Sequence, residues 1–297
     1  MSEVVWCQWS DIDIPSEFKL FSDEADLLDS EILKQITVFI PKYMGGAGSL
    51  QLMRQMPNLK LVQLLTAGYE DALMLLPKGI ALANARGVHD LSTAELTLAL
   101  TLASSSGIDN YVLSQQNQTW QRGVRGSIID SKIAIVGYGS VGKAIGNVFA
   151  PFTQDITGYT RSGTNGTHKI AALDEELSQY DIVVLITPLT DETKGLFDLR
   201  RLNLMKPGSL LVNVARGPVV VTDDLISALK SGRIRAALDV TDPEPLPADH
   251  PLWRAPNLII SPHVGGNSTA FPSRAKKMIA QQLNRLANGE PIENIVA

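Results

Sequence analysis

The chain has 297 residues, of which 44% are hydrophobic, 19% charged and 6% aromatic, and its formal net charge is −5. This length suits two domains of ordinary size, and the composition excludes a disordered or fibrous protein. The acidic balance comes without any basic run, which argues against nucleic acid and anionic membranes as partners.

Cysteine usage and the amino-terminal residues indicate the compartment. Cys7 is the single cysteine, which excludes a disulfide framework within the chain and a cysteine-built zinc site. Residues 1–15 lack the positive start and long apolar stretch of a secretory signal, and no segment reaches the apolar length of a membrane span. We therefore expect a cytoplasmic protein without a metal site, whose partners are small molecules or copies of itself.

Short apolar runs alternate with helical patterns in the first third of the chain, which predicts parallel strands separated by helices. The predicted strands are residues 4–9, 36–40, 59–65 and 80–85. A longer helix is predicted to open at Ser92, because Ser92 and Glu95 have the spacing of a capping box before an apolar run. We place the first domain boundary after residue 95.

A second series of apolar runs follows, and its continuity suits strands that are covered on both faces. These predicted strands begin at Lys132, Asp155, Asp181, Ser209, Arg235 and Asn257. The closing helix, roughly residues 273–287, ends at Asn288-Gly289 with Pro291 beyond it. We assign residues 1–95 and 96–268 to two α/β domains, and we expect residues 269–297 to return to the first.

A glycine-rich turn stands between the first strand of this second series and a helical segment that stops before Pro151. It consists of Gly137, Tyr138, Gly139, Ser140, Val141 and Gly142. The pattern alone is a weak signal, but a strand before it and a helix after it are typical of a dinucleotide-binding turn rather than a glycine turn without a ligand. The first glycine permits the tight turn, the second lets the backbone approach a pyrophosphate, and the third lets helix and strand pack closely.

Three polar residues follow strands of the same domain, where a substrate would meet the cofactor. Arg216 carries a fork of donors suited to a carboxylate, although an arginine after a strand is more often a surface ion-pair partner. His263 is followed by glycines that allow close approach. Glu244 could hydrogen-bond His263 and favour its protonated form, or be a solvated loop carboxylate. His89, His168 and His250 are predicted to be loop or surface residues.

Five motifs in order, GYGSVG, ITPLTDETKGL, NVARG, ALDVTDPEPLP and SPHVGG, resemble the D-isomer-specific 2-hydroxyacid dehydrogenase family. Residues 65–100 resemble the first domain of that family, so the resemblance covers nearly the whole chain. It implies two Rossmann-like domains, each a doubly wound parallel sheet, with an interdomain cleft. It also implies hydride transfer between a nicotinamide cofactor and C2 of a small 2-keto or 2-hydroxy acid, with glyoxylate or hydroxypyruvate foremost.

The resemblance also implies residue roles. Arg216 would bind and polarise the substrate, and His263, with Glu244 as its partner, would be the general acid in reduction or the base in oxidation. Backbone amides of Ala67 and Gly68 would hold the substrate carboxylate. Asp239 would hydrogen-bond the nicotinamide carboxamide. The remaining implied contacts are Thr187, Pro188, Ala215 and Gly265 with the cofactor, and Met44 and Gly45 near the substrate side chain. A homodimer would form through residues 92–120.

The end of the second cofactor-domain strand departs from the family pattern. NAD-dependent members carry an acid there, whereas this chain has Thr160, followed by Arg161 and Ser162. An arginine fork and two hydroxyls suit a 2′-phosphate, which predicts a preference for NADP(H), with NAD(H) possible. The alternative is that Arg161 is a solvated loop charge.

Two rival functions share this fold. Formate and phosphite dehydrogenases share the cofactor domain, but formate enzymes have glutamine where this chain has Glu244. A nucleotide-sensing corepressor would bind the dinucleotide without turnover, and such proteins carry partner-binding tails that are not expected here. Reduction of a keto acid separates both from the dehydrogenase.

Overall fold

The computed structural model describes residues 3–297, which form two compact units. The first unit comprises the chain up to His89 together with Thr269–Ala297, and the second is Asp90–Ser268. The strands are β1 Val4–Cys7, β2 Lys19–Phe21, β3 Val38–Ile40, β4 Leu61–Gln63, β5 Ala81–Ala83, β6 Ile133–Val136, β7 Ile156–Thr160, β8 His168–Lys169, β9 Ile182–Leu185, β10 Leu210–Asn213, β11 Arg235–Leu238 and β12 Leu258–Ile260. The α-helices are α1 Ser30–Leu33, α2 Gly46–Gln51, α3 Glu70–Leu75, α4 Asp90–Ser106, α5 Ile108–Gln116, α6 Ser140–Phe149, α7 Leu173–Glu176, α8 Leu199–Leu204, α9 Thr222–Lys230 and α10 Phe271–Ala287.

The first unit contains a five-stranded parallel sheet in the order β2-β1-β3-β4-β5. Helix α10 packs on this sheet through apolar residues that recur every fourth position, which is the spacing of one helical face. Phe271, Ala275, Ile279 and Leu283 are all buried against the first sheet. The carboxyl-terminal segment is thus part of the core of the first unit.

The second unit contains a seven-stranded parallel sheet in the order β12-β11-β10-β9-β6-β7-β8. Every residue of β6, β9 and β10 is buried, as expected for strands with helices on both faces. The chain proceeds from β6 toward one edge and from β9 toward the other, so the strand order reverses between β6 and β9. In open α/β sheets, ligands bind outside the carboxyl ends of the strands at such a reversal. The predicted α/β fold of two doubly wound parallel sheets is confirmed.

Two strands and the start of one helix differ from the sequence-based expectation for identifiable reasons. Strands β2 and β8 were missed because they are short and partly or fully exposed. Helix α4 begins at Asp90, so Ser92 lies inside the helix and cannot be its cap. The Ser92 hydroxyl instead hydrogen-bonds the hydroxyl of Ser268 over 2.9 Å. The second unit accordingly begins at Asp90 rather than at residue 96.

Two kinds of feature are absent from residues 3–297. No helix in that range has the length and apolar character required to cross a membrane. No group of three or more His, Cys, Asp or Glu side chains in the same range is arranged to hold a metal ion.

Candidate active site and cofactor site

Two of the three glycines in the turn after β6 are required by close packing. Gly137 has φ +104°, and a Cβ there would lie 2.5 Å from the carbonyl oxygen of Ile186. A Cβ on Gly142 would lie 2.5 Å from the carbonyl oxygen of Gly137. Gly139, in contrast, has no atom within 4 Å of its hypothetical Cβ. The turn is therefore tight at both ends and open in the middle, where a ligand phosphate could approach the backbone.

Tyr138 has a packing role that the sequence did not predict. A Cβ on Gly158 would lie 2.4 Å from Cγ of Tyr138, and one on Gly146 would lie 2.7 Å from its hydroxyl oxygen. The tyrosine ring thus fills the space that these two glycines leave between β7 and α6. The half-buried ring therefore supports the turn from behind.

The end of β9 meets the glycine turn at the strand reversal. Thr187 follows β9 and is only 5% exposed, and its hydroxyl has no hydrogen-bond partner among residues 3–297. A buried hydroxyl without a partner is costly, which marks it as a candidate ligand contact. The amides of Ser140 and Val141 open the ten-residue helix α6, whose N-terminus attracts anions. The open glycine, the helix N-terminus and the orphaned hydroxyl together fit a dinucleotide.

The segment Thr160–Ser162, which begins at the last residue of β7, is held by hydroxyl groups. Thr160 Oγ1 accepts a hydrogen bond from the amide of Gly163 over 3.0 Å and lies 2.7 Å from Thr167 Oγ1. Arg161 extends into solvent with 84% of its side chain exposed, and its Nη2 lies 3.3 Å from Oε1 of Glu192. Ion pairs this exposed contribute little to stability, so the guanidinium can be redirected at small cost. Ser162 is also exposed, and its hydroxyl lies 2.9 Å from that of Thr164.

A buried polar cluster anchors β7 and β8 below this segment. The hydroxyl of the fully buried Tyr159 donates to the carboxylate of Glu176 and lies 2.7 Å from the Tyr180 hydroxyl, while His168 Nδ1 lies 2.9 Å from Glu176 Oε2. Burial, together with the hydrogen bond to Glu176, raises the pKa of Tyr159. Burial alone would raise the pKa of Glu176, but hydrogen bonds from Tyr159, His168 and Tyr180 outweigh it and lower that pKa. The cluster therefore keeps a carboxylate ionised beside two neutral phenols.

Arg216, Glu244 and His263 follow β10, β11 and β12, which are neighbours in the sheet. His263 Nδ1 lies 2.5 Å from Oε1 of Glu244, and both side chains are about two-fifths exposed, at 39% and 40%. Because a carboxylate only accepts hydrogen bonds, the proton lies on Nδ1, and Nε2 is left for a second partner. The structure thus brings Glu244 and His263 into the predicted contact.

Asp239 builds the turn that presents His263. It is 3% exposed, and its carboxylate accepts hydrogen bonds from Ser261 Oγ over 2.6 Å and from the amides of Val264 and Gly265 over 2.9 Å each. The His263 amide donates to the Asp239 carbonyl over 2.7 Å, and His263 itself has φ +54°. A non-glycine residue in the left-handed region needs such support. The sequence did not indicate this role, because the amides that Asp239 holds lie 25 and 26 positions further along the chain.

Arg216 stands on an equally constrained turn. The side chain of Asn213, 1% exposed, donates to the Arg216 carbonyl over 3.0 Å and accepts from the Ala215 amide over 3.1 Å. A Cβ on Gly217 would lie 1.9 Å from the carbonyl oxygen of Thr241, so only glycine allows these two backbones to meet. Arg216 Nη1 donates to the Ala215 carbonyl over 2.7 Å. Ala215 itself is buried.

The other predicted substrate residues lie in the first unit. Met44 follows β3 and is 60% exposed with φ +58°, while Gly45 is packed against Ser49. Ala67 and Gly68 lie in the turn after β4. His89 was predicted to be a loop or surface residue; it lies in the loop before α4, but it is only 7% exposed and stacks on Phe271 with ring centroids 5.1 Å apart. An isolated histidine carries no sequence signal of burial, which is why its burial was not predicted.

Comparison with known proteins identifies the family. Residues 98–265 match the family model described as D-isomer specific 2-hydroxyacid dehydrogenase, NAD binding domain. A glyoxylate reductase of Thermofilum pendens is 32% identical over 255 residues, which cover 81% of this chain and 75% of that protein. A hydroxypyruvate reductase of Blautia hydrogenotrophica is 29% identical over 261 residues, covering 83% and 81%. A crystal structure of a D-isomer specific 2-hydroxyacid dehydrogenase from Xanthobacter autotrophicus Py2, in complex with NADPH and MES, matches with a TM-score of 0.80 and 26% identity over 100% of this chain and 98% of that one.

The fold and the matched residues define an oxidoreductase with a nicotinamide-dinucleotide-binding domain. The chain belongs to the D-isomer specific 2-hydroxyacid dehydrogenase family, which supports NAD(P)-dependent 2-hydroxyacid dehydrogenase activity on small 2-hydroxy or 2-keto acids.

Proposed function

We propose that the protein reduces the C2 carbonyl of a small 2-keto acid with NADPH as the preferred cofactor, and catalyses the reverse oxidation. The observation that carries this proposal is the contact between His263 Nδ1 and Glu244 Oε1 at 2.5 Å, one strand from the turn of Arg216. A proton donor beside a carboxylate-binding cation is the arrangement that such a reduction needs.

The three side chains divide the chemistry. The guanidinium of Arg216 holds the substrate carboxylate and polarises the C2 carbonyl as negative charge develops on its oxygen. Protonated His263 donates from Nε2 to that oxygen, while Glu244 accepts from Nδ1 and stabilises the imidazolium. The nicotinamide, when bound, supplies the hydride. In the oxidation direction, neutral His263 takes the proton back through the same nitrogen.

The carboxylate of the substrate also needs backbone donors. We assign this role to the amides of Ala67 and Gly68, neither of which donates a hydrogen bond to an acceptor among residues 3–297. Met44 and Gly45 are assigned to the substrate side chain. The names of the Thermofilum and Blautia relatives support glyoxylate or hydroxypyruvate as the substrate.

The cofactor preference rests on the segment after β7. Thr160 replaces the acid that would repel a 2′-phosphate, and Arg161 with Ser162 supplies an exposed guanidinium and hydroxyl. The NADPH bound to the Xanthobacter protein supports this choice, and NADH is the second candidate. The Asp239 carboxylate, which already accepts three hydrogen bonds, would accept a further one from the nicotinamide carboxamide. The backbone of Gly137–Gly142, together with Thr187, Pro188, Ala215 and Gly265, would line the rest of the dinucleotide.

The active form we propose is a homodimer that is formed through residues 92–120. That segment exposes large apolar side chains on the second unit, which a second copy would cover. Those with about half or more of their surface exposed are Ile108, Val112, Leu113 and Trp120. Light scattering that gives the mass of a single chain at micromolar concentration would contradict this assembly.

One substrate panel tests the function. NADPH and NADH absorbance is followed after addition of glyoxylate, hydroxypyruvate, pyruvate or phenylpyruvate. We expect the highest kcat/KM for glyoxylate or hydroxypyruvate with NADPH. Oxidation of formate without reduction of any keto acid would instead support the formate-dehydrogenase alternative, and tight NADPH binding without turnover would support a sensor.

A further inference from the structure

The turn Leu65–Gly68, which follows β4 in the first unit, has each of its four carbonyl oxygens occupied. The Leu65 carbonyl accepts from His89 Nε2, the Ala67 carbonyl from Asn84 Nδ2 and the Gly68 carbonyl from Thr66 Oγ1, each over 2.7 Å. The Thr66 carbonyl accepts from the Ala85 amide over 2.8 Å. Every peptide in the turn is therefore fixed through its oxygen.

This anchoring determines where the amides point. In a planar trans peptide the C=O and N–H bonds point in opposite directions, so a donor that fixes one carbonyl also orients the next residue's amide. Asn84 thereby orients the Gly68 amide, and His89 orients the Thr66 amide. Ala67 is exposed, and the amides of Ala67 and Gly68 donate to no acceptor among residues 3–297. Successive amides turned outward form a concavity suited to an anion.

Both anchoring side chains are buried and rigidly held. Asn84 is 7% exposed and also accepts from the Arg86 amide over 3.2 Å. His89 packs in one cluster with two aromatic rings, with centroids 5.7 Å from Tyr43 and 5.1 Å from Phe271. Because a carbonyl only accepts, His89 Nε2 carries the proton in its contact with Leu65. Neither side chain needs to touch a ligand in order to orient the amides.

We propose that Asn84 and His89 are positioning residues: Asn84 orients the Gly68 amide and His89 the Thr66 amide toward the carboxylate of the 2-keto acid, while the Ala85 amide fixes the peptide between them. This inference rests on the proposed function. Amides that bind a carboxylate unchanged by the reaction hold the ground state and the transition state equally well. Loss of their orientation therefore raises KM without lowering kcat.

The test compares Asn84→Leu and His89→Phe with the wild-type holoenzyme, because both substitutions keep the approximate shape of the side chain and remove the donor without adding charge. We expect KM for glyoxylate or hydroxypyruvate to rise about tenfold for Asn84→Leu and less for His89→Phe. We also expect kcat to stay within about threefold and the Kd of NADPH to be unchanged. Competitive inhibition by oxamate, a planar non-reacting analogue of a 2-keto acid, should weaken by the same factor as KM rises. His89→Gln, which retains an amide donor, should recover part of the loss.

Thr37→Val is the matched control. Thr37 Oγ1 accepts from the Val4 amide over 2.8 Å at the amino-terminal end of β3, whereas the turn Leu65–Gly68 follows the carboxyl end of the neighbouring β4. This variant therefore loses stability without reaching the turn. Equal changes in Tm for Thr37→Val and Asn84→Leu, with KM unchanged in both, would overturn the inference. A wild-type enzyme that reduces no keto acid would instead refute the proposed function.

Discussion

Two regions of the second unit, the turns that follow β10 to β12 and the turns that follow β6 and β7, are built in different ways. At the proposed catalytic end, the turns that carry Arg216 and His263 are fixed by buried side chains and by contact with another backbone. At the cofactor end, the turn Gly137–Gly142 is equally constrained, but the segment Thr160–Ser162 is held by hydroxyl contacts at the surface.

This difference indicates what each part contributes. A proton transfer tolerates little displacement, so its groups lie on rigid turns. A surface phosphate can be held by a long side chain that adapts, and Arg161, which is 84% exposed, has that freedom. Variants of the two ends should therefore separate turnover from cofactor selection, and the predictions below run from the largest effect to the smallest.

The largest loss is expected for His263→Ala. Removal of the proton donor should lower kcat for keto-acid reduction by about 10²- to 10⁴-fold while the Kd of NADPH stays unchanged. Stopped-flow turnover and fluorescence titration measure the two quantities. His250→Asn, which keeps an acceptor for the Leu252 amide, is the control and should retain activity. A His263→Ala enzyme with near-normal kcat would remove this residue from the mechanism.

Arg216→Ala should lower kcat/KM for the keto acid by about 100-fold, which corresponds to about 3 kcal/mol of transition-state binding. The fold should survive because Asn213 bonds to the backbone of Arg216 and not to its guanidinium. Circular dichroism checks the fold, and Arg254→Ala, an exposed arginine in the same unit, is the control. The assignment fails if a well-folded variant turns over normally.

Glu244→Gln should cost about tenfold in kcat for reduction, because a neutral partner favours imidazolium less than a carboxylate does. Reduction requires the protonated imidazole, so the loss of activity with rising pH should begin at a lower pH than in the wild type. A pH profile of kcat measures this shift. Asp249→Asn, which removes an exposed charge from the same connection, should leave the profile in place. Identical pH profiles for wild type and Glu244→Gln would show that Glu244 is a solvated loop carboxylate without a role in proton transfer.

Arg161→Ala should have the smallest effect on kcat and should change only the preference between NADPH and NADH. The ratio of kcat/KM for NADPH to that for NADH should fall about tenfold, with kcat nearly unchanged at saturating cofactor. Arg254→Ala again serves as control. A wild-type preference for NADH, or an unchanged ratio in Arg161→Ala, would show that no phosphate site exists here.

Sequence reasoning succeeded where backbone geometry restricts the residue type. Gly137 and Gly142 could be interpreted from their spacing because any Cβ there would collide with a carbonyl. It failed where a role depends on distant partners. Nothing near His89 in sequence indicates its stacking on Phe271, and nothing near Asp239 indicates that it anchors Val264 and Gly265. The capping box at Ser92 failed for a related reason, since the helix had already begun at Asp90.

The most direct test of the account follows the hydride itself. Hydroxypyruvate is reduced with NADPH that carries deuterium at both C4 positions of the nicotinamide, and the glycerate formed is analysed by mass spectrometry and chiral chromatography. The account predicts one deuterium at C2 of D-glycerate in the wild type and almost no product from His263→Ala. Glycerate of the L configuration, or product without deuterium at C2, would contradict it.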